Sequence, residues 1–90
     1  MNIYNTYEDN RFKTISEFNE CIIRGGEVEF TWQGINYSVT SYADKISISQ
    51  FYSQETERLF DTPDEALEYM VGEDRLRDVI TQVTVIERTI

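Results

Sequence analysis

The chain has no histidine, one cysteine and one proline, and its 8 lysines and arginines stand against 17 acids. Each shortage excludes something. Without histidine the usual general base at neutral pH and the commonest metal ligand are both missing. Cys21 has no second cysteine with which to form a disulfide or a thiolate metal site, so a reducing compartment suits the chain. As a nucleophile Cys21 would lack a histidine base, and beside Phe18 and Ile22 it reads as a small core residue. No apolar run approaches the roughly 18–20 residues of a membrane-spanning helix. Met1 to Tyr7 is polar, with neither a basic start nor an apolar centre, so no signal peptide and a cytoplasmic location are expected. Gly25-Gly26 follows a helical pattern and precedes a strand pattern, the reverse of the order in a phosphate-binding loop. The net charge of −9 argues against nucleic acid and anionic membranes as partners and leaves a basic protein as the natural one. The expectation is a non-enzymatic protein with no cofactor and no metal.

What the chain does have is alternation. Glu27–Trp32, Ile35–Tyr42 and Lys45–Tyr52 each switch between apolar and polar residues, with Gln33-Gly34 and Ala43-Asp44 between them. That is the pattern of an antiparallel meander with one buried face. Val28, Phe30, Trp32, Ile35, Tyr37, Val39, Ile46 and Ile48 form the inner set. Glu29, Thr31, Asn36, Ser38, Thr40, Ser47 and Ser49 form the outer one. Phe51 falls out of phase and Tyr52 in phase, so either a bulge lies near Gln50 or Phe51 crosses to the outer face.

Helices flank the meander. Thr14-Ile15-Ser16-Glu17 is a capping box opening a helix over about 15 to 24, with Ile15, Phe18, Ile22 and Ile23 at helical spacing and Gly25-Gly26 to end it. Glu57-Arg58-Leu59-Phe60 reads as a short fourth strand, because Leu59 and Phe60 call for burial. Thr62-Pro63-Asp64-Glu65 is a second box, opening a helix whose apolar face is Ala66, Leu67, Met70 and Val71 and which Gly72 stops. Asp74 is placed to cap a third helix from Arg75 to about Thr81. Val83 to Ile90 is β-branched and alternates, and reads as a final strand or as a continuation of that helix. Residues 1–90 thus form one α+β domain: an N-terminal helix, a three- or four-stranded meander, two short helices and a C-terminal strand. Residues 1–13 make an arm of no clear period.

Charge is unevenly spread. Residues 55–74 carry Glu55, Glu57, Asp61, Asp64, Glu65, Glu68, Glu73 and Asp74 against Arg58 alone, a net −7, whereas 1–54 net −3 and 75–90 net +1. Such a ridge suits docking on a basic partner, either as an inhibitor that competes with nucleic acid or as an immunity or adaptor protein with one target. It serves equally as a solubilising surface. Asp64, Glu65 and Glu68 share an outer helix face, but acids belong at a helix N-terminus in any case, so a hard cation is not expected there. The hydroxyls of Ser38, Thr40, Ser47 and Ser49, with Tyr42 and Phe51, offer a second surface, of a composition that solvated antiparallel faces also favour. A C-terminal strand at a sheet edge would allow a homodimer by strand addition.

Glu29-Phe30-Thr31-Trp32-Gln33-Gly34-Ile35-Asn36-Tyr37-Ser38-Val39, then Asp64-Glu65-Ala66-Leu67, then Gly72-Glu73-Asp74-Arg75-Leu76-Arg77-Asp78-Val79-Ile80, resembles a loose group of short acidic proteins from low-GC Gram-positive bacteria and their phages or mobile elements. The likeness covers about residues 15 to 86, falls on core and turn positions, and implies no activity and no functional residue. In size and acidity the chain is also similar, as a class, to anti-CRISPR proteins.

Overall fold

Three tight turns convert the alternating runs into a sheet. Helix α1 spans Ile15–Ile23 and leads into β1 (Val28–Trp32), β2 (Ile35–Tyr42), β3 (Lys45–Gln50) and β4 (Ser53–Phe60). There follow one helical turn, α2 (Pro63–Ala66), a small hairpin of β5 (Met70–Val71) and β6 (Asp74–Arg75), a second helical turn, α3 (Leu76–Val79), and β7 (Thr84–Arg88). This is a computed structural model, and it describes residues 11–89. The fold is α+β as expected. The meander has four strands, and β7 pairs beside β1 to give the antiparallel order β4-β3-β2-β1-β7. Most of the arm over 1–13 lies outside the described residues. Its Phe12 is buried, edge-to-face with Phe18 at 5.4 Å and beneath the Arg88 guanidinium at 4.2 Å, so it joins α1 to β7.

Local chemistry explains the elements. Gln33 and Gly34 both take positive φ (53° and 83°), the two-residue turn whose twist matches paired strands. The register that follows sets Val28 opposite Val39 and Phe30 opposite Tyr37, and then Val39 opposite Ile48. One face of the sheet is therefore apolar. Against it pack Phe18, Cys21 and Ile22 from α1, with Ala66, Leu67, Tyr69, Val71, Leu76, Val79 and Ile80 from the segment after β4. Both capping boxes form. The Glu17 amide donates to Thr14 Oγ1 at 3.1 Å, and the Glu65 amide to Thr62 Oγ1 at 3.2 Å. The two glutamates reach back one residue further than expected, to the amides of Lys13 and Asp61.

Several expectations need correction. The second helix does not run to Val71. It stops after one turn, because the carbonyls of Leu67 and Tyr69 accept from the amides of Arg77 and Leu76, which fold back from the β5–β6 hairpin. Met70 is consequently exposed, and Gly72 (φ 73°) serves the hairpin turn instead of a helix stop. Asp74 does not cap α3. Its Oδ2 accepts from Trp32 Nε1 at 3.1 Å, and α3 begins without a side-chain cap and ends at Val79. The fourth strand is twice the expected length, Ser53–Phe60, and its Leu59 is 59% exposed. Ile35 and Ile23, read as inward, are also exposed. Both alternatives at the end of β3 hold together. The β3–β4 register shifts between Ile48 and Gln50, while Phe51 continues the β2–β3 ladder on the outer side, its amide donating to Asn36 O at 3.0 Å. Tyr52 is not inward. It takes a left-handed φ of 60° in the turn to β4 and is fully exposed.

Candidate functional site

The eight carboxylates of the 55–74 segment lie on successive elements and fall into three groups. Glu55 and Glu57 are on β4, where they accept from the hydroxyls of Ser53 and Ser47. Asp61, Asp64, Glu65 and Glu68 surround α2, and bases from elsewhere in the chain meet them. Lys45 pairs with Asp61, and Arg77 reaches Glu68 Oε2 at 2.7 Å and Asp64 Oδ1 at 3.4 Å. Arg75 adds a contact to Glu68 at 3.3 Å. Glu73 sits in the β5–β6 turn, and Asp74 is engaged by Trp32. The net −7 of the segment thus overstates the field that a partner would meet around α2, since Lys45, Arg75 and Arg77 fold back upon it.

These contacts show in the titration of the groups. The hydrogen bond from Arg77 holds the Glu68 carboxyl below its ordinary value, and the bond to Asp61 raises the Lys45 ammonium. A glutamate depressed in the folded state stabilises fully above the unfolded value of about 4.5, and this stabilisation is lost as pH falls through the folded value. The melting temperature of an Arg77→Met variant is therefore expected to lie below that of the parent at neutral pH and to converge on it towards pH 3. Parallel curves from pH 7 to pH 3 would contradict the pairing.

The opposite side of the sheet has a different character. Directly paired residues share a face, so the register defines rows across it. One row is Glu87, Glu29, Ser38 and Ser49, and another is Thr84, Thr31 and Asn36. A third sets Thr40 beside Ser47 and Leu59. Among the described residues no element covers this face. It carries Glu29, Glu57 and Glu87 against the amine of Lys45, which Asp61 already occupies. Glu29 and Glu87 stand directly opposite each other, and no ion pair joins either to a described lysine or arginine. Like charges in that position destabilise a strand pair. Concavities indent the face. One of about 620 Å³ is lined by Glu27, Thr40, Tyr42, Lys45, Ser47 and Leu59 among others. Another, about 310 Å³, is formed by Glu29, Ser38, Ser49, Gln50, Phe51 and Tyr52.

No family model, curated protein or solved structure matches this chain. The geometry must therefore speak for itself. Among the described residues no group of three or more cysteines, aspartates and glutamates is arranged to hold a metal ion, and no helix is long and apolar enough to cross a membrane. Cys21 is buried, its thiol pushed up by burial, with Sγ 3.6 Å from the Thr89 carbonyl. Sequence reasoning offered Phe51 to this face but missed Glu87 and the outward Tyr52. Alternation alone places Glu29 outward, but the Glu29–Glu87 partnership depends on a bulge between Glu29 and Phe30 in the β1–β7 ladder.

Proposed function

We propose that this protein is a non-enzymatic binding module, an inhibitor that docks on a basic protein partner, and that it docks through the open face of the sheet. The observation that carries this reading is the Glu29–Glu87 pair on a face left uncovered among the described residues. The fold sets two carboxylates face to face with no described lysine or arginine paired to either, a local cost that a basic partner would remove on binding. The hydroxyls of Ser38, Thr40, Ser47 and Ser49 supply adaptable hydrogen bonds around it, and Tyr42 and Leu59 supply exposed apolar contact. Where the partner's basic surface is a nucleic-acid groove, occupation would compete with the nucleic acid. The class likeness to anti-CRISPR proteins agrees with this and adds no residue to it. Self-pairing would fall to the β7 edge, since on β4 the carbonyls of Glu55, Thr56 and Glu57 already accept from Arg58 and Tyr69.

The test is affinity capture followed by measurement on the purified partner. Glu29→Lys with Glu87→Lys is expected to slow association about tenfold at low salt, and added salt should shrink the difference. Asp64→Lys with Glu65→Lys should change it less than threefold or so, because Arg77 already screens that cluster. The opposite ranking would return the site to the α2 carboxylates, and a partner whose binding ignores salt and both pairs would dismiss charge-guided docking.

A further inference from the structure

The smaller concavity on the open face has a composition that its neighbour lacks. It is a shallow depression lined by one carboxylate, two hydroxyls, one carboxamide and two aromatic rings: Glu29, Ser38, Ser49, Gln50, Phe51 and Tyr52. Phe51 is half-buried on the sheet, and Tyr52 stands free at the turn, its ring edge-to-face with Phe51 at 6.0 Å. Tyr52 is held in left-handed backbone, a conformation that a bulky residue adopts at a cost. The strain presents an aromatic ring to solvent where asparagine or glycine would make the turn without it.

We infer that this concavity holds an arginine side chain of the protein partner. A guanidinium is planar and weakly hydrated, so it stacks on an aromatic face while donating in its own plane to carboxylate and hydroxyl oxygens. Phe51 and Tyr52 provide the faces, and Glu29, Ser38 and Ser49 the acceptors, in one row of the sheet that continues to Glu87. An arginine entering from the aromatic end brings its charge to the Glu29–Glu87 pair and offsets the repulsion there. A lysine would satisfy the charge but not the stacking. A metal ion is a poorer fit, for two carboxylates on adjacent strands give a hard cation too few oxygens. This inference rests on the basic-partner reading and names the contact that anchors it.

The probe is a capped Gly-Arg-Gly-Arg-Gly peptide and its lysine counterpart, titrated at low ionic strength into the ¹⁵N-labelled full chain. The largest amide shifts are expected at Glu29, Ser38, Ser49 to Tyr52 and Glu87. The arginine peptide should bind about fivefold more tightly than the lysine one, and Phe51→Ala and Glu87→Gln should each weaken it about threefold. Glu87→Gln lies on the surface and leaves the core intact, so it keeps the test decisive if Phe51→Ala perturbs β3. Shifts centred on Thr40, Ser47 and Leu59 would overturn the arginine site and leave the open-face reading standing. Equal affinity for the two peptides would overturn the aromatic contribution. Absence of shifts from either peptide across the open face would overturn both.

Discussion

Replacing Phe30 with alanine is expected to cost about 4 kcal/mol, roughly half of what a domain of this length commands. Phe30 sits in the central part of the sheet, with β2 on one side and β7 on the other, and is fully buried. Its ring stacks on Tyr37 across the β1–β2 pair, centroids 5.2 Å apart and planes 20° from parallel, and Tyr37 meets Tyr69 edge-to-face at 6.3 Å. Loss of the ring removes its own transfer energy and leaves a cavity that paired strands on both sides cannot close. The melting temperature should fall by about 20 °C, and the urea midpoint should move with the slope unchanged. Tyr37→Phe is the matched control. It keeps the stack and removes a buried hydroxyl that has no partner among the described residues, so it should leave stability the same or raise it by about 1 kcal/mol. A loss below about 1.5 kcal/mol for Phe30→Ala would mean that the sheet and its cover are not packed as described.

Phe30 also marks what was legible beforehand. Period-two alternation from Val28 to Ile48 places it inward without any structure, because a one-residue slip would expose the whole apolar set. The capping boxes at Thr14 and Thr62 were legible for a similar reason, since each depends on four consecutive residues. Leu59 was misread by the same logic applied too far. A leucine on an edge strand lies inward or outward according to register, and the β3–β4 bulge sets it opposite Ser47 on the open face. Leu59→Ala should accordingly change stability by no more than about 0.5 kcal/mol.

The segment after Pro63 was misread for a different cause. Ala66, Leu67, Met70 and Val71 satisfy a helical period, yet the chain turns because amides from residues 76 and 77 reach the carbonyls of 69 and 67. Those are tertiary hydrogen bonds, invisible to any local pattern. The outer face itself was legible as a second surface, but the place of Glu87 on it was hidden in the same way. Counting acids pointed to residues 55–74, but Lys45, Arg75 and Arg77, all outside that segment, fold back onto Asp61, Asp64 and Glu68. Glu29 and Glu87 are 58 positions apart and draw no attention until β7 is seen to pair with β1.

Gly26→Ala is the second large effect, at about 3 kcal/mol, although nothing in the sequence separates Gly26 from Gly25. Gly25 takes the left-handed conformation that ends α1 (φ 84°), and a methyl group there would meet no atom within 4 Å. Alanine at position 25 should cost about 1 kcal/mol, from backbone strain alone. Gly26 needs no unusual φ, but a Cβ on it would lie 2.6 Å from the Thr89 carbonyl oxygen, 2.7 Å from Cys21 Sγ and 2.8 Å from the Cys21 carbonyl oxygen. Two of those three atoms are backbone and cannot rotate away. They belong to the joint between the end of α1 and the end of β7, where the Gly26 amide donates to Cys21 O and the Thr89 amide to Glu27 O, both at 2.9 Å. A methyl group must push β7 outward or lift the helix end, and either loosens the strand that carries Glu87. Urea denaturation should rank Gly26→Ala well below Gly25→Ala. A double-mutant cycle with Cys21→Ala should recover part of the loss, since one of the three contacts disappears with the sulfur. Equal costs at the two glycines would show that the α1–β7 joint is open enough to take a side chain. The close approach of helix and strand would then be no part of what holds Glu87 opposite Glu29.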